Sequence, residues 1–99
     1  MSQFDAYAGA GRSSRLVVDL QSDILAPIAT RIVAPLFPRS EAPVLTELTP
    51  LVRLDGRELV VMIPLMASIP VRELQHPVGS LAADQDAIKR ALDVLFLGF

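Results

Sequence analysis

Short apolar runs separated by turn-forming residues predict a chain built mainly of β-strands. Residues 15–20 are apolar and β-branched, which is typical of a buried strand, and residues 2–8 predict a short edge strand. Residues 31–36 predict a third strand. Pro35 confines this strand to a sheet edge or a strand end, because proline donates no ladder hydrogen bond. Residues 37–50 are rich in proline and predict the longest irregular loop, which we expect to be mobile.

The clearest local pattern is Asp55-Gly56 between two apolar runs, which is typical of a two-residue hairpin turn. A type I′ turn needs a positive φ at both central residues, and Asp followed by Gly accepts that conformation. The register that follows pairs Leu54 with Arg57, Arg53 with Glu58, and Val52 with Leu59. Opposite charges face each other in the middle pair, which contributes about a few tenths of a kcal/mol.

In the last third of the chain, the spacing of the apolar residues changes from that of strands to that of a helix. Residues 65–71 predict a short strand, and residues 75–80 predict a turn-rich connection. From Asp84 onward the apolar spacing is that of one helix face, with Asp84 as N-cap and Gly98 at the helix end. The predicted apolar stripe comprises Ile88, Leu92, Leu95 and Phe99, and the predicted ion pairs on the polar side are Asp86–Arg90 and Lys89–Asp93.

Length and composition predict one small domain with a surplus of apolar residues. The chain has 99 residues, which allows a single domain over residues 1–99. Apolar residues make up 52% of it, which excludes a disordered chain. The densest apolar stretch, residues 59–67, is too short to span a membrane, and the N-terminus shows no secretory signal. A domain this small buries only about 60–65% of its unfolded surface, so the apolar surplus predicts a protein interface.

Charge and side-chain chemistry favour a protein that acts by binding. The net charge of −2 argues against a general nucleic-acid binder. The chain has no cysteine, so it forms no disulfide or thiolate metal site, which suits the cytoplasm. His76 is the one histidine, and neither a zinc site nor a hydrolase triad is expected. Asp19 and Asp23 are interpreted as part of a solvated turn. We predict no cofactor and no metal.

Four segments resemble motifs of the CcdB toxin family, in that family's order. Residues 18–25 (VDLQSDIL) resemble its V-D-V-Q-S-D-I stretch, and residues 31–36 (RIVAPL) resemble its R-x-V-I-P-L strand. Residues 66–71 (MASIPV) resemble its M-A-S-V-P-V segment, and residues 86–99 resemble its closing helix with a penultimate glycine. Each motif is weak alone, but four in order from about residue 2 to residue 99 identify the chain as resembling this family.

This resemblance implies a fold and a mode of action. The implied fold is an SH3-like antiparallel barrel with a small accessory sheet and one C-terminal α-helix, assembled as a homodimer. The implied function is a type II toxin that binds the A subunit of DNA gyrase, traps the cleaved-DNA complex and is neutralised by a cognate CcdA-like antitoxin. It implies no catalysis and no direct nucleic-acid binding. Two alternatives stay open: an endoribonuclease toxin on the same barrel, and a relic that binds only its antitoxin.

The resemblance also implies site residues. Leu97, Gly98, Phe99 and Asp93 correspond to the gyrase-binding end of the family's last helix. Leu97 stands where the best-known member has a tryptophan, so a cation–π contact of about 0.5–2 kcal/mol is lost there. Phe99 either supplies an aromatic contact instead or caps the apolar helix face.

Five further residues are candidate partner contacts: Ser22, Asp23, Ile24, Arg12 and Arg15. Ser22 and Asp23 have an alternative role, because their side chains commonly bond nearby backbone where a strand turns. Arg12 and Arg15 either meet an acidic antitoxin segment or are solvated. Leu95 and Phe96 are expected in the core or in a dimer interface.

Overall fold

The computed structural model describes residues 2–9, 15–25, 27–42 and 45–98. Within these residues the chain has seven strands and one α-helix. The strands are β1 (Asp5–Tyr7), β2 (Val17–Asp19), β3 (Thr30–Pro38), β4 (Leu51–Leu54), β5 (Arg57–Val61), β6 (Ala67–Pro70) and β7 (Pro77–Ser80), and the helix α1 is Gln85–Leu97. Short 3-10 turns lie between them, among them Asp23–Leu25, Arg39–Glu41, Thr46–Leu48 and Ile63–Leu65.

The strands form one curled antiparallel sheet around the long strand β3. Its order is β4-β5-β3-β2-β1-β7, and β6 pairs with β3 off this path. β3 changes partners along its length: residues 30–35 pair with β2 and β6, and residues 36–38 pair with β5. The sheet therefore curls into a half-barrel, and α1 packs on the same core. The predicted mostly-β antiparallel fold with one C-terminal helix is confirmed.

The core lies inside the half-barrel and under α1. Its fully buried aliphatic side chains come from the sheet, the turn after β5 and the helix: Val18, Leu36, Leu59, Ile63, Leu81 and Ile88. A smaller apolar cluster on the other face of the sheet contains Tyr7, Val17, Val33 and Leu74. The buried strand predicted over residues 15–20 is present as the shorter β2, whose three residues are all buried, with Val18 in the first cluster and Val17 in the second.

The Asp55-Gly56 hairpin is confirmed in turn and in register. Asp55 has a φ of 51° and Gly56 a φ of 75°, as a type I′ turn requires. The observed ladder contains the three predicted pairs, Leu54–Arg57, Arg53–Glu58 and Val52–Leu59. The Glu58 carboxylate lies 3.5 Å from the Arg39 guanidinium, so its ion pair is formed with a neighbouring turn.

Two predictions about strand positions are wrong. Residues 77–80, predicted as a connection, form β7, which pairs with β1, so β1 lies between β2 and β7 and is no edge strand. Backbone bonds flank this pairing: Leu81 N–H donates to Phe4 O at 2.7 Å, and Ala8 N–H donates to His76 O at 2.9 Å. All four β7 side chains are exposed, so no apolar alternation marks this strand in the sequence.

Pro35 lies inside the longest strand, contrary to the expectation that it ends a strand. Leu36 N–H donates to Leu16 O on the β2 side, so the nitrogen of Pro35 faces the opposite side. There the β6 pairing ends at Val33 and the β5 pairing begins at Leu36. The proline therefore lies where one partner strand replaces the other, and no ladder donor is needed.

The C-terminal helix is confirmed, but its apolar stripe is only half covered. Ile88 and Ala91 are fully buried, whereas Leu95 is 38% exposed. Gly98 ends the helix with a φ of 80°, and its N–H donates to Val94 O, as predicted. Asp84 occupies the N-cap position, but its side chain makes no capping hydrogen bond.

The predicted ion pairs within the helix are wrong, because both cations have other partners. The Arg90 guanidinium lies 2.6 Å from Glu47 of a neighbouring turn, and Lys89 donates to Gln85. Residues 37–50 contain the end of β3 and two 3-10 turns, with residues 43 and 44 outside the described ranges. No helix among the described residues is long and apolar enough to cross a membrane.

Candidate partner-binding surfaces

The last turn of α1, residues 93–98, presents an apolar surface that we call the helix tip. Phe96 is 70% exposed and Leu97 is 62% exposed. Successive helix residues point about 100° apart, so three consecutive apolar residues cannot all face the core. The sequence predicted Leu95 and Phe96 in the core or in a dimer interface, and in the single chain both are exposed. Asp93 is also exposed, and the left-handed Gly98 turns the chain away from the helix axis.

The structure thus brings Leu97, Gly98 and Asp93 together at one end of the helix. Phe99, the fourth residue of the predicted gyrase-binding set, lies outside the described residues.

A shallow apolar cavity of about 350 Å³ lies beside the helix and is named here the flank cavity. Leu45, Leu48 and Val94 supply its apolar lining, and Glu47 borders it. The Arg90–Glu47 ion pair links the helix to the turn that forms the cavity's other wall. Leu45 is 51% exposed, so the cavity offers uncovered apolar surface with a charged rim, as interaction sites do. The sequence had placed these residues in an irregular loop, with no pattern to indicate their position.

The second exposed apolar surface lies between β2 and β3 and comprises residues 22–25, 27 and 28, which we call the β2–β3 turn. Ser22 Oγ accepts from Ile24 N–H at 3.3 Å, and Asp23 Oδ1 accepts from Gln3 N–H at 2.8 Å. Ser22 thus bonds nearby backbone, as its alternative role predicts, whereas Asp23 bonds the backbone of Gln3, 20 residues away in the chain. Leu25 and Ile28 join Ile24 on this surface, each more than 40% exposed. Sequence reasoning missed these two because Pro27 made residues 24–30 ambiguous.

A buried ion pair lies directly behind the β2–β3 turn. Asp19 and Arg31 are 0% and 1% exposed, and Arg31 Nη2 lies 2.6 Å from Asp19 Oδ2. The interpretation of Asp19 as solvated is therefore wrong: it is the last residue of the buried strand β2. Burial alone lowers the pKa of Arg31, but hydrogen bonds and charge from Asp19 and Asp23 outweigh it, so this pKa is raised. Arg31 is a permanent buried cation.

Arg15 precedes β2, at the end of that strand away from the turn network, and lies above an aromatic ring. Its guanidinium carbon is 3.9 Å from the centre of the Phe37 ring, a cation–π contact. Arg15, Arg57 and Glu41 line a cavity of about 250 Å³ whose floor includes Leu36 and Leu59. Arg12, its predicted companion, lies outside the described residues.

The described residues contain no cluster of three or more histidine, cysteine, aspartate or glutamate side chains that could hold a metal ion. His76 is exposed, and its backbone carbonyl rather than its imidazole takes part in the sheet. The cavity lined by Arg15 and Arg57 combines cationic groups with an apolar floor, which suits anion binding and apolar contact.

Comparison with solved structures places the fold among bacterial toxins. The toxin MazF-mt6 of Mycobacterium tuberculosis matches with a TM-score of 0.77 over 93% of this chain and 95% of that chain, at 21% identity. A second Mtb toxin matches with a TM-score of 0.72 over 93% of this chain and 99% of that chain, at 22% identity. At these identities the likeness shows the fold alone.

The resemblance carried by the four sequence motifs is tested by the family comparison. The model of the CcdB protein family matches residues 3–98, which includes all four motif segments and the helix tip. Nearly the whole described chain is covered, so the chain belongs to the CcdB family, the toxins of toxin–antitoxin systems.

Proposed function

We propose that this toxin binds the A subunit of DNA gyrase through its helix tip and traps the cleaved-DNA complex. Membership of the CcdB family supports this proposal. The observation that carries it is the exposure of Phe96 and Leu97 at the end of a helix that is anchored to the core by the buried Ile88 and Ala91. Large apolar side chains exposed on a rigid element act as anchors for a protein partner, because burying them removes apolar area from water without ordering a flexible segment.

The β2–β3 turn supplies a second contact to the same partner in this proposal. Ser22 and Asp23 bond backbone N–H groups but remain exposed, and Ile24, at 83% exposure, offers a partner more apolar surface than Leu25 or Ile28. The corresponding motif segment is one of the four by which the chain resembles its family.

The antitoxin and a second copy of the chain are the other proposed partners. A toxin of this kind has an antitoxin partner. We assign Arg15 to an acidic antitoxin segment, because Arg15 and Arg57 next to an apolar floor suit an acidic, partly apolar peptide. Arg12, which lies outside the described residues, is assigned to the same segment from the sequence alone. The homodimer interface is assigned to the flank cavity, where apolar side chains remain uncovered beside the helix.

An endoribonuclease is the second candidate, and one observation favours it. Arg15, Arg57 and Glu41 line one cavity on the barrel surface, which combines two phosphate-binding groups with a carboxylate. In such a reaction the carboxylate takes the ribose 2′-hydroxyl proton as the 2′-oxygen attacks the phosphorus, the arginines stabilise the charge on the phosphate, and water protonates the departing 5′-oxygen. The net charge of −2 and the lone, exposed His76 weigh against this function.

The deciding experiment runs supercoiling and DNA-cleavage assays with purified gyrase beside an RNA-cleavage assay. We expect gyrase-linked DNA breaks, and we expect Leu97→Asp to abolish them while Val78→Asp leaves them unchanged. Val78 is the matched control because it is an exposed apolar residue on β7. RNA cleavage lost on Glu41→Gln, without gyrase-linked breaks, establishes the second candidate. Neither activity, with the antitoxin still bound, identifies a relic.

A further inference from the structure

Arg31 contacts three residues at the base of the β2–β3 turn through one guanidinium group. Its Nε and Nη2 lie 3.0 and 2.6 Å from Asp19 Oδ2. The same Nη2 donates to the backbone carbonyl of Gln21 at 3.0 Å and to Asp23 Oδ1 at 3.4 Å. One side chain on β3 thus joins the end of β2 to Gln21, directly before the turn, and to Asp23 within it. Only the planar, multi-donor fork of arginine makes these bonds together.

The carboxylates that receive these bonds also hold backbone donors. Asp19 Oδ1 accepts from Gln21 N–H at 3.0 Å, and Asp23 Oδ1 accepts from Gln3 N–H at 2.8 Å. The Gln21 side chain bridges to β3, donating to Thr30 O and accepting from Ile32 N–H. Charged and amide side chains therefore replace the strand ladder where β2 and β3 separate.

The apolar residues of the turn do not hold it in place themselves. Ile24, Leu25 and Ile28 are 83%, 43% and 48% exposed, so burial contributes little to fixing them. Local backbone bonds, Leu25 N–H to Ser22 O and Ile28 N–H to Leu25 O, shape the turn but tie it to nothing else. Among the described residues, the Asp23–Gln3 contact ties the turn to the N-terminal segment, and its attachment to β2 and β3 comes from the Arg31 network.

We propose that Arg31 is a positioning residue that holds the β2–β3 turn ready for its partner. The gyrase-facing part of this inference rests on the proposed function. A turn fixed before binding loses little conformational entropy when Ile24, Leu25 and Ile28 become covered. If the turn is released, only the fraction of molecules in the binding conformation is competent, and the apparent affinity falls in proportion.

A purely stabilising role predicts a different behaviour. A buried ion pair contributes little net stability, and replacing both partners with apolar residues of similar volume is often neutral. The double variant Asp19→Leu with Arg31→Met therefore removes the network without leaving a buried charge unpaired. Asp23→Asn is a milder second variant, because the Asp23 side chain is 57% exposed and its loss leaves the buried pair intact. Arg39→Met is the matched control, since it breaks the exposed Arg39–Glu58 pair.

The test measures amide hydrogen exchange at Leu25 and Ile28 together with affinity for the gyrase A subunit. Neither amide bonds to a replaced side chain, so faster exchange reports release of the turn. We expect faster exchange in both variants, unchanged exchange in Arg39→Met, and a loss of affinity of about ten-fold where one molecule in ten stays competent. Ile24→Ala, by contrast, lowers affinity and leaves exchange unchanged.

Unchanged exchange at Leu25 and Ile28 in a folded double variant, or in Asp23→Asn if the double variant does not fold, overturns the inference. Faster exchange with unchanged affinity overturns it as well. A wild-type chain that does not bind the gyrase A subunit refutes the proposed target instead, and the exchange result then decides whether Arg31 holds the turn.

Discussion

Tyr7 is the chain's one tyrosine, and it lies almost fully buried beside charged groups. Burial raises the pKa of its phenol above the ordinary 10.0, and the negative charges of Asp5 and Asp19 raise it further while Arg31 opposes them. Because the folded-state pKa is the higher one, the neutral phenol of Tyr7 contributes to the stability of the folded protein. This contribution is complete below pH 10.0 and is lost as pH rises through the folded-state pKa.

We therefore expect tyrosinate absorbance to appear at higher pH in the folded protein than in urea. Comparing the alkaline decline in the free energy of unfolding with that of Tyr7→Phe isolates the contribution of this one phenol. A folded-state titration at or below the unfolded one contradicts the prediction.

Leu97 gives a second residue-scale prediction, because by resemblance it corresponds to a tryptophan in the best-known member of the family. On the proposed binding to gyrase, Leu97→Trp restores the aromatic face and is expected to add a cation–π contact of about 0.5–2 kcal/mol to an arginine of gyrase. Affinity for the gyrase A subunit is then expected to rise about 2- to 30-fold. Leu97→Met is the control, since it keeps apolar volume without a ring, and calorimetric titration measures both. Equal affinities for the two variants would show that the helix tip meets no cation.

The sequence shows Asp19 and Arg31 at the ends of two apolar runs, yet their pairing was missed. In the observed register Asp19 is opposite Val33, so Arg31 is a diagonal neighbour on the same face of the sheet. A polar residue inside a predicted buried strand needs a partner, and this signal was available. The sequence does not identify that partner, because the pairing of Asp19 with Arg31 depends on how β2 and β3 align.

At the scale of elements, the β4–β5 hairpin shows how much a turn contributes to the free energy of unfolding. Gly56 has a φ of 75° and open space around the position of an added Cβ, so Gly56→Ala introduces backbone strain and no clash. The expected loss in the free energy of unfolding is about 1–2 kcal/mol. Asp55→Asn is the matched control, because asparagine tolerates the left-handed conformation that Asp55 adopts. Urea unfolding of both variants measures the difference, and equal stability of Gly56→Ala and wild type would contradict it.

Elements with a local signal could be predicted, and elements fixed by distant partners could not. The hairpin and α1 follow from turn chemistry and from apolar spacing, which are properties of adjacent residues. β7 has no buried side chain, and it is a strand because β1 is available to pair with it. Pro35 lies within β3 because the neighbouring strand on that side changes there from β6 to β5. The sheet order that decides both cases is a property of the whole chain.

At the scale of the whole molecule, the exposed apolar residues are grouped on a few surfaces and are not spread evenly. The chain exposes 5746 Å² in total, and its large exposed apolar residues include those of the helix tip, the flank cavity and the β2–β3 turn. A stable interface covers about 800 Å² per partner, roughly a seventh of this surface. A chain of this size therefore has room for both a self-association surface and a separate partner surface.

Homodimerisation through the flank cavity gives the prediction at this scale. Sedimentation equilibrium is expected to show twice the 10.7 kDa mass of the chain, with a melting temperature that rises with protein concentration because the folded dimer is favoured by mass action. Leu45→Asp places a charge among the apolar residues of the cavity and should give monomers, whereas Val78→Asp on β7 should not. Since Leu45 is 51% exposed in the single chain, its replacement costs the monomer little stability. A Leu45→Asp protein that remains dimeric would show that the dimer interface lies elsewhere than the flank cavity. A monomeric wild type would show that the chain does not self-associate, and the flank cavity would then be a surface for other proteins.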